Sequence, residues 1–129
     1  MIIPDTIINE IIAQAKADLP NESCGYLLGV DGTVTEHYPM ENTDHSPEHF
    51  SFSPREQFAA LRYARQKGLS ILANWHSHPS SPSRPSEEDK RLANDPSIRY
   101  AILSLMDDDP RLNSFQIEKG EVINKEEHL

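Results

Sequence analysis

The sequence predicts an α/β or α+β fold, in which a single mixed, curved β-sheet is flanked by two or three helices. Apolar residues recur at helical spacing in two segments, and short apolar runs between polar turns are typical of strands. A strand, a helix and a strand follow one another around residues 54–78, which indicates a crossover connection within the sheet. The chain length of 129 residues fits one domain, residues 1–129.

The first third of the chain predicts a helix and then a β-hairpin. Apolar residues in segment 7–19 keep helical spacing, with Asp5 placed to cap the helix and Pro20 to end it. The run SCGYLLGV predicts a strand, and Asp31-Gly32 is a hairpin turn signal, so TVTEHYPM is expected to return as the second strand. NTDHSPEH is then a polar turn region, and FSFS is interpreted as a further short strand.

The second helix is predicted over residues 54–67. Ser53 is placed to cap it, Pro54 suits its first position, and Glu56 completes a capping box. Gly68 can adopt the left-handed conformation that ends a helix.

The apolar face of this helix is expected to include Phe58, Leu61 and Ala64 or Arg65. LSILANWHSH then predicts a buried strand, and RYAILSLM and LNSFQIEKGEVI supply the last strands, with Lys119-Gly120 as a hairpin turn.

Composition excludes several classes of function. Twelve Lys and Arg against 21 Asp and Glu give a net charge of −9, which disfavours nucleic acids and anionic membranes as partners. Cys24 is the one cysteine, so neither an internal disulfide nor a cysteine-based zinc knuckle is expected. The N-terminus does not resemble a signal peptide, and no apolar run approaches membrane-spanning length. A cytoplasmic location is the resulting expectation.

The segment NWHSHPSSPSRPSEEDKRL, residues 74–92, contains a candidate metal site. His76 and His78 are two residues apart on a predicted strand, so they project from the same face and are placed to bind one cation. A chance pair at a polar strand end is the alternative. Ser86 and Asp89 fit a helix capping box, and a carboxylate in a first helical turn can equally turn toward a metal.

Catalysis at such a site requires, besides the metal ligands, a water molecule and a base. Three protein ligands and one open position are the pattern of a catalytic zinc site, and the water in the open position needs a base. Glu22, at the start of an apolar strand, is the candidate, although a single glutamate is more often an exposed loop residue.

These residues together resemble the motif of the JAMM metalloproteases, also called MPN-plus domains. Glu22 is followed by His76-Ser77-His78-Pro79, then six residues, Ser86, two residues and Asp89, so every motif position matches. ESCGYLLG is also similar to the first strand of the family, and the resemblance covers nearly the whole chain.

The resemblance implies a zinc peptidase with one ion per chain and a layered mixed sheet like that of cytidine deaminases. His76, His78 and Asp89 would be the metal ligands. Glu22 would take a proton from water and hand one to the leaving amine, and Ser86 would donate to the oxyanion of the tetrahedral intermediate.

The chain is similar to a bacterial branch that cleaves after the C-terminal Gly-Gly of ubiquitin-like sulfur-carrier proteins. Its segments 39–57 and 85–96 carry this likeness, and 129 residues leave little room for ubiquitin-gripping insertions. The resemblance implies such a carrier as substrate, its extended tail lying along a sheet edge near the zinc. An isopeptidase acting on another ubiquitin-like protein and a non-catalytic MPN binding module are the alternatives. The oligomeric state, the released residue and the metal used in the cell stay open.

Two other hydrolase classes fit less well. A cysteine hydrolase would use Cys24, but a free cysteine in an apolar strand is more often a small buried hydrophobe. A zinc nucleobase deaminase needs His-x-Glu and Pro-Cys-x-x-Cys, which are missing. The remaining histidines are interpreted as loop residues (His45 and His49) or as residues without an identifiable partner (His37 and His128).

Overall fold

The computed structural model describes residues 1–129 as a six-stranded sheet in the order β2-β1-β3-β4-β5-β6, packed with three helices. None of the helices has the length and apolar character needed to cross a membrane. In chain order the elements are α1 (Asp5–Asp18), β1 (Cys24–Val30), β2 (Thr33–Met40), α2 (Pro54–Lys67), β3 (Ser70–His78), α3 (Glu87–Leu92), β4 (Arg99–Ser104), β5 (Arg111–Glu118) and β6 (Glu121–Glu127).

The predicted mixed sheet is confirmed. Strands β3 and β4 are parallel, and every other neighbouring pair is antiparallel. Helix α3 connects the parallel pair, while α2 connects β2 to β3 across the intervening β1. This topology places the end of β3 and the start of α3 together, which is where the histidines and Asp89 lie.

Both predicted hairpin turns are confirmed by their backbone angles. Asp31 and Gly32 have φ values of 51° and 77°, and Lys119 and Gly120 have values of 53° and 78°. Two successive residues with positive φ form the tight turn whose twist matches that of the flanking strands.

Helix α2 has the predicted bounds. Ser53 Oγ accepts a hydrogen bond from the Glu56 N–H at 3.1 Å, and Gly68 takes the left-handed conformation with φ 68°. The Glu56 carboxylate, however, accepts the N–H of Glu41 at 3.0 Å. Only half of the predicted capping box therefore forms, because the acidic side chain fixes the segment after β2 instead.

The prediction for the apolar face of α2 is wrong in part. Phe58 and Leu61 are 68% and 50% exposed, and the buried residues are Ala60 and Ala64. The two alanines pack with Leu28 and other residues of the sheet, since small side chains let the helix lie close to the strands. The larger residues are left at the helix surface.

Two local predictions are also wrong. Pro4, and not Asp5, occupies the position before α1, and no side chain caps this helix, so Asp5 is its first helical residue. Residues 50–53, interpreted as a strand from FSFS, have no regular secondary structure. Alternation over four residues is too short a signal to establish strand pairing.

The two faces of the sheet have separate hydrophobic clusters. On one face, Ile7, Ile11 and other residues of α1 pack against Leu27 and Trp75. On the other face, α2 packs against the cluster that includes Leu28. Because side chains alternate along β3, the neighbours of Trp75 point to the α2 face, where the candidate site forms.

Candidate metal centre

The end of β3 carries His76 and His78 into the α2 side of the sheet. Their side chains are buried, with 2% and 5% of the residue surface exposed. Trp75 and Ser77 face the opposite side, as strand alternation requires. Two imidazole rings therefore share one protected position.

Asp89 completes a cluster of three ligand atoms. The Nε2 atoms of His76 and His78 are 3.1 Å apart, and the Asp89 Oδ2 atom is 3.2 Å from the first and 3.1 Å from the second. A tetrahedral zinc ion with bonds of about 2.0–2.1 Å holds its ligand atoms roughly 3.3 Å apart. The three side chains thus fit one small divalent cation without rearrangement.

The orientation of His78 leaves a lone pair for a metal. Its Nδ1 atom donates to the Pro82 carbonyl oxygen at 2.9 Å, so the Nε2 atom that faces His76 and Asp89 is free of hydrogen in the neutral ring. The loop that supplies Pro82 is itself fixed, because the Ser83 hydroxyl donates to the Ile102 carbonyl at 2.6 Å. Such a second partner is typical of metal-binding histidines.

The environment of His76 is apolar. Its ring stacks on Phe50, with centroids 4.6 Å apart, and its Nδ1 atom is buried without a hydrogen-bond partner. Burial lowers the pKa of His76, so the ring is neutral near pH 7, which is the form that binds a metal.

Asp89 remains ionised in the cluster. Burial raises the pKa of Asp89, but hydrogen bonds with His76 and His78 outweigh this effect and hold the pKa far below its ordinary value. Burial lowers the pKa of His78, yet its bonds with Asp89 and Pro82 raise it above the ordinary value overall. The ionised Asp89 carboxylate faces both imidazole rings, so a positive charge is stabilised at this position.

The same carboxylate also caps α3. Ser86 N–H donates to Asp89 Oδ2 at 2.9 Å, and Asp89 N–H donates to Ser86 Oγ at 3.0 Å. The capping box and the ligand cluster, which the sequence offers as two interpretations of Asp89, are present together. Ser86 is exposed, and its hydroxyl hydrogen is not used in the cap.

The register between β1 and β3 places Glu22 in the site. Cys24 lies opposite His76, and the Ser77 N–H donates to the Ser23 carbonyl oxygen at 2.9 Å. Continuing this antiparallel register by two residues sets Glu22 beside His78 on the same face.

Glu22 is buried and not an exposed loop residue. It is 4% exposed, and its Oε1 atom has no hydrogen-bond partner. Burial raises the pKa of Glu22 to about 8, and the charge of His78 opposes the shift. A buried carboxyl group with a pKa near neutrality suits proton transfer.

Asn42 organises the segment beside Glu22, a role not found from the sequence. Its Nδ2 atom donates to the carbonyl oxygens of Glu22 at 3.1 Å and His49 at 3.0 Å. Its Oδ1 atom accepts from the N–H groups of Asp44 at 3.0 Å and Ser51 at 3.2 Å. The position of Asn42 in a polar turn region could have indicated this role, because asparagine side chains commonly form hydrogen bonds with nearby backbone groups.

Residues of the candidate site line two clefts. One, of about 280 Å³, lies between segment 50–52 and α3 and is lined by His76 and Asp89. The other, of about 440 Å³, is lined by Glu22 and polar residues of the segment after β2.

The expected position of a substrate tail along a sheet edge needs correction. Strand β3 lies between β1 and β4, and the edge strands are β2 and β6. No open sheet edge therefore adjoins the histidines.

The single cysteine lies outside this chemistry. Cys24 is fully buried, and burial raises the pKa of its thiol to about 12. A thiol with this pKa carries almost no thiolate at neutral pH, so it is a poor nucleophile. The interpretation of Cys24 as a small buried hydrophobe is favoured over that of a catalytic cysteine.

The remaining histidines do not join the cluster. His45 is 3.4 Å from the Glu41 carboxylate, and His49 is 3.1 Å from Asp44, so both lie in the loop as expected. His37 packs edge-on against Trp75, with ring centroids 5.4 Å apart. His128 Nε2 lies 2.7 Å from Ser114 Oγ, a partner too distant in sequence to be identified there.

Comparison with known proteins gives consistent matches. The family of prokaryotic homologs of the JAB domain matches over residues 4–118. A CysO-cysteine peptidase of Mycobacterium tuberculosis is 30% identical over 125 residues, covering 95% of this chain and 86% of that protein. A desampylase of Haloferax volcanii is 32% identical over 103 residues, covering 78% and 74%. The solution structure of protein DSY2949 from Desulfitobacterium hafniense has a TM-score of 0.89 and 48% identity, covering 98% of this chain and 90% of that one.

Proposed function

The chain belongs to the prokaryotic JAB family, the JAMM group that its motif predicts, and from this premise we propose that it is a zinc-dependent peptidase that cleaves after the C-terminal Gly-Gly of a ubiquitin-like protein. The names of its relatives support a peptidase that acts on small ubiquitin-like proteins. The zinc ion, the Gly-Gly tail and the role of each residue are parts of the proposal.

One observation carries the proposal: three buried or half-buried ligand atoms lie 3.1–3.2 Å apart beside a buried, unpartnered carboxylate. His76, His78 and Asp89 would hold one zinc ion and leave a position open. The ion would supply a Lewis acid that polarises the substrate carbonyl and brings the pKa of water near neutrality. Two imidazole nitrogens and one carboxylate oxygen are a donor set that suits zinc.

Glu22 would move the proton. Its carboxylate lies on the same face as His78 and has one oxygen without a partner, so it can accept a proton from the attacking water. It would then pass that proton to the nitrogen that leaves. Burial keeps the pKa of this group high, so the protonated form exists long enough to act as an acid.

Ser86 would stabilise the oxyanion. Its Oγ atom already accepts the Asp89 N–H, which fixes the oxygen and leaves the hydroxyl hydrogen free to donate. A fixed donor of this kind is worth roughly 3 kcal/mol of activation free energy.

The tail of the substrate would lie in the cleft beside segment 50–52. Phe50 and Phe52 line it on one side and Leu92 and Tyr100 on another, so it can take an extended segment without large side chains. Glycines suit this position because they let the backbone approach the metal closely. The folded body of the substrate would then contribute binding energy outside the cleft.

A metal analysis with matched variants tests the first part. We expect one zinc ion per wild-type chain and little zinc in His76→Ala or His78→Ala protein, while His49→Ala, which changes an exposed loop histidine, keeps the metal. Full zinc content in both strand variants would disprove the site.

A comparison of substrates tests the second part. We expect faster turnover of a sulfur carrier with a short C-terminal extension than of a linked ubiquitin dimer or a free Gly-Gly peptide at equal concentration. A clear preference for the ubiquitin dimer, or for the free peptide over the carrier, would contradict the proposed substrate.

A further inference from the structure

Asn74 lies on β3 two residues before His76, so the two side chains project from the same face of the sheet. It lines the cleft of about 280 Å³ that His76 and Asp89 also line. Its partners on the neighbouring strands are Tyr26 and Tyr100, whose side chains lie beside it on this face. The side-chain amide of Asn74 therefore shares one cleft with two of the three candidate metal ligands.

The side-chain oxygen of Asn74 lacks a hydrogen-bond partner. The residue is half-buried, and its Oδ1 atom is buried without a donor. Among the residues that line this cleft, only His76 has another buried polar atom in that condition. An unpaired buried acceptor costs free energy that an apolar side chain of the same size avoids, so its presence in a cleft points to a ligand that donates a hydrogen bond.

Polar groups next to Asn74 are already engaged with each other or with the backbone. Gln57 Nε2 donates to the Tyr26 hydroxyl at 3.4 Å, and the Tyr100 hydroxyl accepts the Asp95 N–H at 3.1 Å. The amide of Asn74 offers one acceptor and one donor group, as a peptide group does, and its last torsion is soft enough to turn either toward the cleft. It is therefore suited to pair with the backbone of an extended chain.

The spacing along β3 sets which peptide group the amide can reach. Residues two apart on a strand are separated by roughly 6.6 Å, and an extended tail in the cleft advances by about the same distance in two residues. When the carbonyl group of the last glycine lies beside His76 at the metal centre, the N–H group of the penultimate glycine lies beside Asn74.

We propose that Asn74 is a specificity-determining residue, whose side-chain oxygen accepts the N–H of the penultimate glycine of the substrate tail. The inference rests on the proposed function, which places this tail in the same cleft. The bond fixes the register of the tail, so that the carbonyl of the last glycine, and not that of its neighbour, reaches the metal centre. A side-chain amide recognises backbone groups, which suits a tail that has no side chains at these positions.

Asn74→Leu removes both polar groups and keeps nearly the same side-chain volume. Because Oδ1 has no partner in the free protein, we expect this variant to keep its zinc and its melting temperature. Its kcat/KM for a sulfur carrier with a short C-terminal extension should fall by about tenfold. Asn124→Leu, the same change at an exposed position of β6, is the matched control and should keep wild-type kinetics. If Asn74→Leu does not fold, Asn74→Ala takes its place.

Two modified carriers separate a contact with the tail from a general effect on the cleft. An ester oxygen replaces the N–H of the penultimate glycine in one carrier and the N–H of the last glycine in the other. We expect the first ester to lower kcat/KM of the wild type by about tenfold. In Asn74→Leu the same ester should lower it by about twofold or less, because the partner of that N–H is already absent. The second ester should affect both proteins by the same factor.

Equal losses from the penultimate ester in the wild type and in Asn74→Leu, or an unchanged kcat/KM in the variant, would overturn the inference. If the unmodified carrier is not cleaved, the proposed function fails and the same comparison is made by binding. Fluorescence anisotropy with labelled carriers and the two zinc-loaded proteins then gives the affinities. A loss of affinity from the penultimate ester in the wild type alone supports the inference, whereas equal losses, or no binding of the unmodified carrier, defeat it.

Discussion

Replacing Glu22 by glutamine should slow hydrolysis and, at the same time, stabilise the zinc-free protein at alkaline pH. The two effects have one cause, which is that the fold buries a carboxylate with an unpartnered oxygen. Glutamine keeps the shape of the side chain but neither accepts the proton of the attacking water nor carries a buried charge.

The magnitude of the stabilisation follows from the pKa of Glu22. Burial raises it from 4.5 to about 8, and a change of this size corresponds to roughly 5 kcal/mol between the two protonation states. Because local relaxation around an ionised group recovers part of that free energy, we expect the zinc-free variant to be more stable by about 2–4 kcal/mol at pH 8.5.

The pH dependence has a definite sign. Below pH 4.5 the carboxyl group is protonated in the folded and unfolded states, so it contributes no difference. Between pH 4.5 and about 8 the unfolded chain has released this proton while the folded chain retains it, so the unfolding free energy of the wild type falls as pH rises. Above pH 8 the penalty is constant. Glutamine removes this dependence, so the gap between the two proteins opens over that window.

Urea unfolding of chelator-treated wild type and Glu22→Gln at pH 4.5, 6 and 8.5 measures this gap, with Glu118→Gln as an exposed control. Turnover of the zinc-loaded variant should fall by about 10²–10⁴, with its zinc content unchanged. A stability difference that does not change with pH would show that the buried carboxylate titrates normally. Full turnover in the variant would remove Glu22 from the mechanism.

Four further variants probe the site. Asp89→Ala should lose zinc and, with the lost cap, about 1 kcal/mol of stability; retained zinc contradicts its role as ligand. Ser86→Ala should keep zinc and lose about 10²-fold or more in kcat; an unchanged kcat excludes an oxyanion role. Cys24→Ser should stay active with a lower melting temperature, and an inactive but folded protein would favour a thiol mechanism. Asn42→Ala removes five hydrogen bonds to the backbone around Glu22 and should lower both kcat and stability, the latter by about 2–3 kcal/mol; unaltered kinetics would show that Asn42 is not needed to position this segment.

The parts of the fold that follow from sequence are those set by local backbone chemistry. The hairpins at Asp31-Gly32 and Lys119-Gly120 need successive positive φ angles, which few residues adopt, so their sequences indicate the turn directly. The bounds of α2 are likewise set by Ser53 and Gly68, which act on adjacent backbone groups.

The parts that do not follow depend on how elements approach one another. Phe58 is exposed and Ala60 is buried, the opposite of what their hydrophobicity predicts. The close packing of α2 on the sheet leaves room only for small side chains on the covered face. The burial of Glu22 depends in the same way on the pairing of Cys24 with His76, a contact across 52 residues that no local pattern contains.

Asp89 shows why weak local signals can identify a site when they are combined. Its Oδ2 atom accepts the Ser86 N–H at 2.9 Å and lies 3.1–3.2 Å from both histidine nitrogens, so the helix cap and the ligand cluster share one atom. The cap holds the carboxylate by a backbone donor at a helix start, where a negative charge is stabilised, and this keeps it ionised and oriented toward the end of β3. A capping box alone, or a histidine pair alone, is common for structural reasons. The short Ser-Pro loop between them brings the start of α3 close to the end of β3. The hydrogen bond from His78 Nδ1 to the Pro82 carbonyl oxygen holds the loop in this position.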